Sequence, residues 1–239
     1  MVLIPTGEFL MGSELGAFVR EAEQPQHTLY LSGYYLAKTP VTNVQYNAFV
    51  QATHRRRPKH WEGGEPPRGK DDHPVVYVSW DDAVAYCNWL AEVTGRPYQL
   101  PSEAEWEKGA RGSDGRIYPW GNQWDAKWCN AGEGSKLDTT PVGAYPQGAS
   151  PHGLLGMAGN VWEWTRSIAK DYPYDPKDGR ENLKAKGHLV FRGGAFDFNE
   201  WYARCANRDW NVRFLQWPDL GFRVMVLPDY PKKMHGKQG

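Results

Sequence analysis

Residues 190–225 read VFRGGAFDFNEWYARCANRDWNVRFLQWPDLGFRVM, and how this stretch is read decides how the whole chain is organised. Arg192-Gly193-Gly194 and Leu220-Gly221-Phe222-Arg223-Val224 are rigid ends around a middle run, Ala203-Arg204-Cys205-Ala206-Asn207-Arg208. Between them, Asp197 to Tyr202 and Asp209 to Asp219 mix aromatic and short polar residues with neither a helical nor a strand period, which reads as two loops. Loops this aromatic are costly to leave in water, because burying one large ring contributes about 2 to 3 kcal/mol. Either the rings fold into the core or they meet a ligand. Tyr and Trp among Asp, Asn and Arg is the composition of interaction surfaces, and it favours a ligand-facing segment over 190–225. Its expected anchors are Trp201, Tyr202, Trp210, Phe214 and Trp217, with Phe198 beside them and Asp197, Glu200, Asp209 and Asn211 setting orientation.

Outward from that stretch, the 239 residues hold 26 Gly and 18 Pro, which alone would point to disorder, but 12 Trp and 13 Tyr argue for a loop-rich globule pinned by buried rings. No Ser/Gly linker divides the chain, so one domain over 1–239 is expected, with a short tail at 228–239. Twenty-eight basic residues balance 28 acidic ones, leaving no field to attract nucleic acid or an anionic membrane. The one basic run, His54 to His60, reads as a solvated loop. Cys87, Cys129 and Cys205 are too few and too far apart for a disulfide framework or a zinc motif. With no apolar leader after Met1 and no run of 18 apolar residues, the default expectation is a cytoplasmic monomer.

Three helix starts are marked: Thr42 with Gln45 and Ser102 with Glu105 each make a capping box, Ser79 with Asp82 resembles the start of the helix between them, and that second helix stops at Gly95. Short strands are expected within 2–12 and over Thr28 to Tyr35. The stretch 111–151 has almost no periodicity, and a loop of that length needs internal anchors, for which Tyr118, Trp120, Trp124 and Trp128 are the candidates. In Val161-Trp162-Glu163-Trp164 the alternation suits a strand with two different faces. Glu163, set between two indoles, requires either a hard cation such as calcium or an arginine.

Taken in order, Ile4-Pro5-Thr6-Gly7-Glu8-Phe9, Pro40-Val41-Thr42-Asn43, Pro74 to Trp80, Leu100-Pro101-Ser102-Glu103-Ala104-Glu105-Trp106-Glu107, Tyr118-Pro119-Trp120-Gly121, Gly159 to Trp164, Arg192-Gly193-Gly194 and Gly221-Phe222-Arg223-Val224 resemble the formylglycine-generating enzyme (sulfatase-modifying factor) family across nearly the whole chain. The resemblance implies an α+β fold of the C-type-lectin-like kind, with small twisted antiparallel sheets, flanking helices and extensive irregular loops. It also implies a choice of chemistry. The family's oxidases make formylglycine from a peptide cysteine with copper, using two cysteines five residues apart. Cys205 matches the second, but Glu200 stands at the first, and a hard carboxylate does not replace a soft ligand of cuprous ion. Copper is therefore not expected, unless the fold brings Cys87 or Cys129 beside Cys205. A non-catalytic branch includes the variable proteins of diversity-generating retroelements. Their diversified segment is similar in layout to Arg192–Val224, which makes a protein or peptide ligand the expected partner. The family's calcium sites transfer in part, to Gly159, Val161, Glu163 and Asn130, so calcium is expected to bind weakly or not at all.

Overall fold

The structure is a computed structural model, and it describes residues 1–16 and 18–228. Of the expected tail, 229–239 lies outside the described residues.

The three helix starts form as the sequence predicts, each with a capping box. Thr42, Ser79 and Ser102 accept from the backbone N–H three residues on, and they start α1 (Asn43–Thr53), α2 (Trp80–Thr94) and α3 (Glu103–Arg111). Gly95 closes α2 in the left-handed conformation (φ 68°) that glycine adopts without penalty.

Among the described residues, nine short strands make three sheets. β1 (Val2–Ile4), β4 (Tyr34–Leu36) and β9 (Met225–Val226) form one, in the order β1-β4-β9, which ties the two ends of the described chain together. β2 (Gly7–Met11) pairs with β3 (His27–Leu31) in the second. The strand expected over Thr28 to Tyr35 is thus two strands in different sheets. The largest sheet has the order β7-β6-β5-β8, built from β5 (Trp162–Ile168), β6 (Leu189–Arg192), β7 (Arg208–Asn211) and β8 (Leu220–Phe222). Three of its four strands come from the 190–225 stretch or its edge, and β8 runs parallel to β5.

β5 is buried on both faces, because different layers cover each side. Trp162 and Trp164 pack into the main core with Tyr46 and Phe49 of α1 and with Trp80 and Tyr86 of α2. The indole N–H of Trp164 donates to Val78 O (3.1 Å), and that of Trp80 donates to Thr165 O (2.8 Å). On the other face, α3 packs against β5 and β6. The long loop after α3 carries its own anchors: Tyr118 stacks on Trp120 (centroids 5.4 Å), Trp124 tilts against both, and Trp128 meets Trp120 edge-on.

Candidate binding face

The arginines of the 190–225 stretch point inward. Arg192 reaches Glu103 (3.2 Å) and Glu107 of α3 and donates to the carbonyls of Cys205 and Ala206. Arg208 grips Glu103 through two bonds (2.6 and 2.8 Å) and lies over the ring of Tyr172. Arg204 takes both oxygens of Glu23, and Arg223 takes both oxygens of Glu163 (2.6 and 2.7 Å). All four guanidiniums and their carboxylates are buried. Burial alone would lower the pKa of Arg192, but Glu107, Tyr172 and Glu103 more than reverse it, so the group is held as a cation. The acids of α3 are therefore structural partners: Glu105 binds Arg166 in the same way (2.6 Å). Gly194, at φ 71°, turns the chain out of β6, and a Cβ there would lie 2.8 Å from Tyr202 O.

At Glu163, where the sequence left a hard cation and an arginine as alternatives, the structure places Arg223. The carboxylate is fully buried, and Oε2 also accepts from the Trp106 indole N–H (2.8 Å), so arginine is the partner that the strand requires. Asn130 and Gly159 do come together, in a parallel bridge. Asn130, however, donates to Asp138 O and to Asn160 Oδ1, and accepts from Lys136 N. Val161 lies buried just before β5, between Gly159 and that paired acid. A donor set whose only carboxylate is already paired with Arg223 does not fit calcium.

Copper fits no better. Cys205 is fully buried in a cluster with Trp106, Leu154, Met157 and Met225, and burial pushes its thiol up to about 12. Cys87 belongs to the main core, Cys129 to the cluster under Tyr118, and all three cysteines are free. Glu200 sits half-buried on a loop whose backbone crosses Gly132.

The two loops differ in where their rings go. In the first, Phe198 and Tyr202 turn in, edge-on to Trp162 (5.4 and 6.2 Å) and to each other (4.9 Å), so both belong to the fold. Trp201 stacks on Phe18 (3.7 Å) and lines a separate cavity. Only Asp197 and Asn199 of this loop are exposed.

The second segment begins as an edge strand, not as a loop: Asp209, Trp210 and Asn211 are in β7, with Trp210 opposite Val190. Arg20 pairs with Asp209 (3.4 Å), and the cations of Arg20 and Arg208 lie near the Trp210 ring (5.9 and 5.6 Å). The true loop is 212–219. Arg213 binds Asp81 and covers Trp80 (4.7 Å), Leu215 packs on the main core, and Gln216 donates to Asp82 (3.2 Å). Between these anchors Phe214 faces solvent, 73% exposed, while Trp217 is 37% exposed and sets its edge against Phe191 of the core (6.2 Å). The two loops meet at a pair of acids. Asp219 is buried, and burial together with the charge of Asp197 pushes its carboxyl up to about 7.

Beside Trp217, Tyr77 donates its N–H to Trp217 O (2.9 Å), and Lys59 stands over the Tyr77 ring (4.7 Å). The basic run expected to be solvated is so at Arg55 to Arg57. It turns inward at His60, whose Nδ1 is buried without a partner and whose pKa is lowered to about 4, by burial first and then by Lys70. No helix among the described residues is long and apolar enough to cross a membrane.

Comparison with known proteins agrees with this architecture. The model of the sulfatase-modifying factor enzyme 1-like domain matches residues 1–227. Formylglycine-generating enzyme of Streptomyces coelicolor is 32% identical, over 93% of this chain and 87% of its own. PvdO from Pseudomonas aeruginosa superposes with a TM-score of 0.80 at 27% identity, covering 94% of this chain and 93% of its own. Treponema denticola variable protein 1 has the same fold, with a TM-score of 0.78 at 24% identity over 95% of each chain.

Proposed function

This chain belongs to the sulfatase-modifying factor enzyme 1-like family, with its C-type-lectin-like α+β fold, and we propose that it is a non-catalytic module that binds a protein or peptide through the 212–219 loop and its neighbours. The observation that carries the reading is the alternation in that loop. Arg213, Leu215 and Gln216 are fastened to the start of α2 and to the core, while Phe214 is held out in water and Trp217 is partly exposed with one edge on Phe191. A ring exposed on a rigid loop has already lost most of its conformational freedom, so a partner covering it gains the apolar contact at small entropic cost. Asp197, Lys59 and Tyr77 form the polar and aromatic rim. The shared fold with a variable protein is consistent with display on this scaffold, and the proposed binding unit is the monomer.

The second reading is the copper-dependent oxidation of a peptide cysteine, favoured by the identity to formylglycine-generating enzymes. The buried, fully protonated thiol of Cys205 and the carboxylate of Glu200 do not make a soft two-sulfur site for cuprous ion. The deciding experiment titrates the reduced protein with cuprous ion and incubates it with a cysteine peptide in air. The binding reading predicts no stoichiometric tight site dependent on Cys205 and no aldehyde. One-to-one binding lost in Cys205→Ala, together with turnover, overturns it.

A further inference from the structure

A cavity of about 620 Å³ lies away from the 212–219 loop and has a wall chemistry of its own. Its aromatic surfaces are Tyr118, Trp124 and Trp201, and Trp201 is backed by Phe18 in a parallel stack (3.7 Å, 15°). The size is that of a small-molecule site.

Two arginines line the cavity, but neither has charge to offer an anion. Arg111 pairs with Glu107 (2.8 Å) and donates to the carbonyls of Leu10, Gly12, Gly115 and Arg116. Arg204 binds both oxygens of Glu23 and the carbonyls of Phe18 and Trp201. The polar side chains are engaged too: Ser13 donates to Glu23, Gln26 to Gly12 O, and Asn122 accepts from Ile117 N. Asp114 is clamped by Arg116 (2.6 Å). What remains of the lining is the rings of Tyr118, Trp124 and Trp201, the aliphatic side chains of Leu10, Leu15, Val19 and Ile117, and the exposed carboxylate of Glu14.

We propose that this cavity is a binding site for an organic monocation with an apolar shell, of the quaternary ammonium class. The negative faces of Trp and Tyr rings attract such a cation, and a single carboxylate at the rim neutralises it without requiring a hydrogen bond that a methylated nitrogen cannot donate. An anion would meet guanidiniums already engaged by carboxylates and carbonyls, and a neutral ligand would leave Glu14 without a role. The inference stands on the cavity alone and does not depend on the binding role proposed for the 212–219 loop.

The probe is choline, set against its neutral carbon isostere 3,3-dimethylbutan-1-ol, with the assigned indole N–H resonances of Trp201 and Trp124 as readout on the full chain. Choline is expected to shift both resonances saturably, with the isostere about tenfold weaker. Glu14→Gln is expected to weaken choline several-fold while leaving the isostere unchanged. Trp124→Leu keeps the test independent of any folding defect in Trp201→Leu, and either variant should remove saturation. Equal binding of the two probes, no shift at tens of millimolar choline (a concentration at which even a weak cation–π site would be occupied), or shifts indifferent to Glu14→Gln would each overturn the proposal.

Discussion

The loops on either side of the Ala203–Arg208 run are built from the same kinds of residue and end in opposite places. The first, 197–202, turns Phe198 and Tyr202 onto Trp162 and gives Trp201 to a cavity. The second, 212–219, fastens its Arg, Leu and Gln, leaves Phe214 in water and gives Trp217 only an edge contact with Phe191. The difference comes from what lies beneath. Under the first loop is the open face of a tryptophan in the central strand of the large sheet. Under the second are the acidic first turn of α2 and the ring of Trp80, which accept a guanidinium and an amide and leave Phe214 without a seat and Trp217 with one edge only on Phe191. Aromatic content marks where energy is available, and the neighbouring layer decides whether folding or binding uses it.

The comparison presumes a frame that does not move, so the largest effect should come from breaking that frame. Arg223→Met leaves Glu163 as an uncompensated buried charge and is expected to cost about 3 to 5 kcal/mol in denaturant unfolding. Glu163→Gln with Arg223→Met together should recover much of it. If the single variant costs under 1 kcal/mol, the arginine network is not what holds the loops.

Next come the inward rings. Phe198→Ala and Tyr202→Ala should each cost about 2 to 3 kcal/mol, as partly buried aromatic deletions do. A loss confined to partner binding, with no change in the melt, would move the first loop back among display surfaces.

The junction between the loops should be pH-dependent. The carboxyl of Asp219 holds a proton more tightly in the folded chain than in the unfolded one, so its contribution is fully present below the unfolded value near 3.9 and is lost as pH rises through about 7. Asp219→Asn, which mimics the protonated form, is expected to be more stable than the native chain at pH 8, by on the order of 1 to 3 kcal/mol, and to flatten the pH 4–7 slope of unfolding free energy. An unchanged slope would mean that Asp197 and Asp219 do not face each other. The smallest effect belongs to the outward ring: Phe214→Ala should alter stability by about 0.5 kcal/mol or less.

Much of this was legible in the residues. The three helix starts and the ring anchors of the long loop follow from local chemistry. Glu163 between two indoles announced that something positive had to meet it, although spacing alone left calcium and arginine level. The arginines at 192, 204, 208 and 223 could be seen, but their acids at 103, 107, 23 and 163 are distant in sequence, so the pairing needed the fold. The same distance hid the anchoring of Arg213 and Gln216 by Asp81 and Asp82, two adjacent acids that read only as a good helix start. That is why one list of binding residues over 197–217 merged three environments: a core, an edge strand and a displayed loop.

The division of the two loops into packed and displayed is tested most directly by randomising each and measuring how many variants still fold. In one library Phe214, Trp217 and Pro218 are varied together, and in the other Phe198, Trp201 and Tyr202, with protease resistance as the readout. Most clones of the first library and few of the second are expected to stay folded. The opposite ranking, or equal loss in both, would contradict the account.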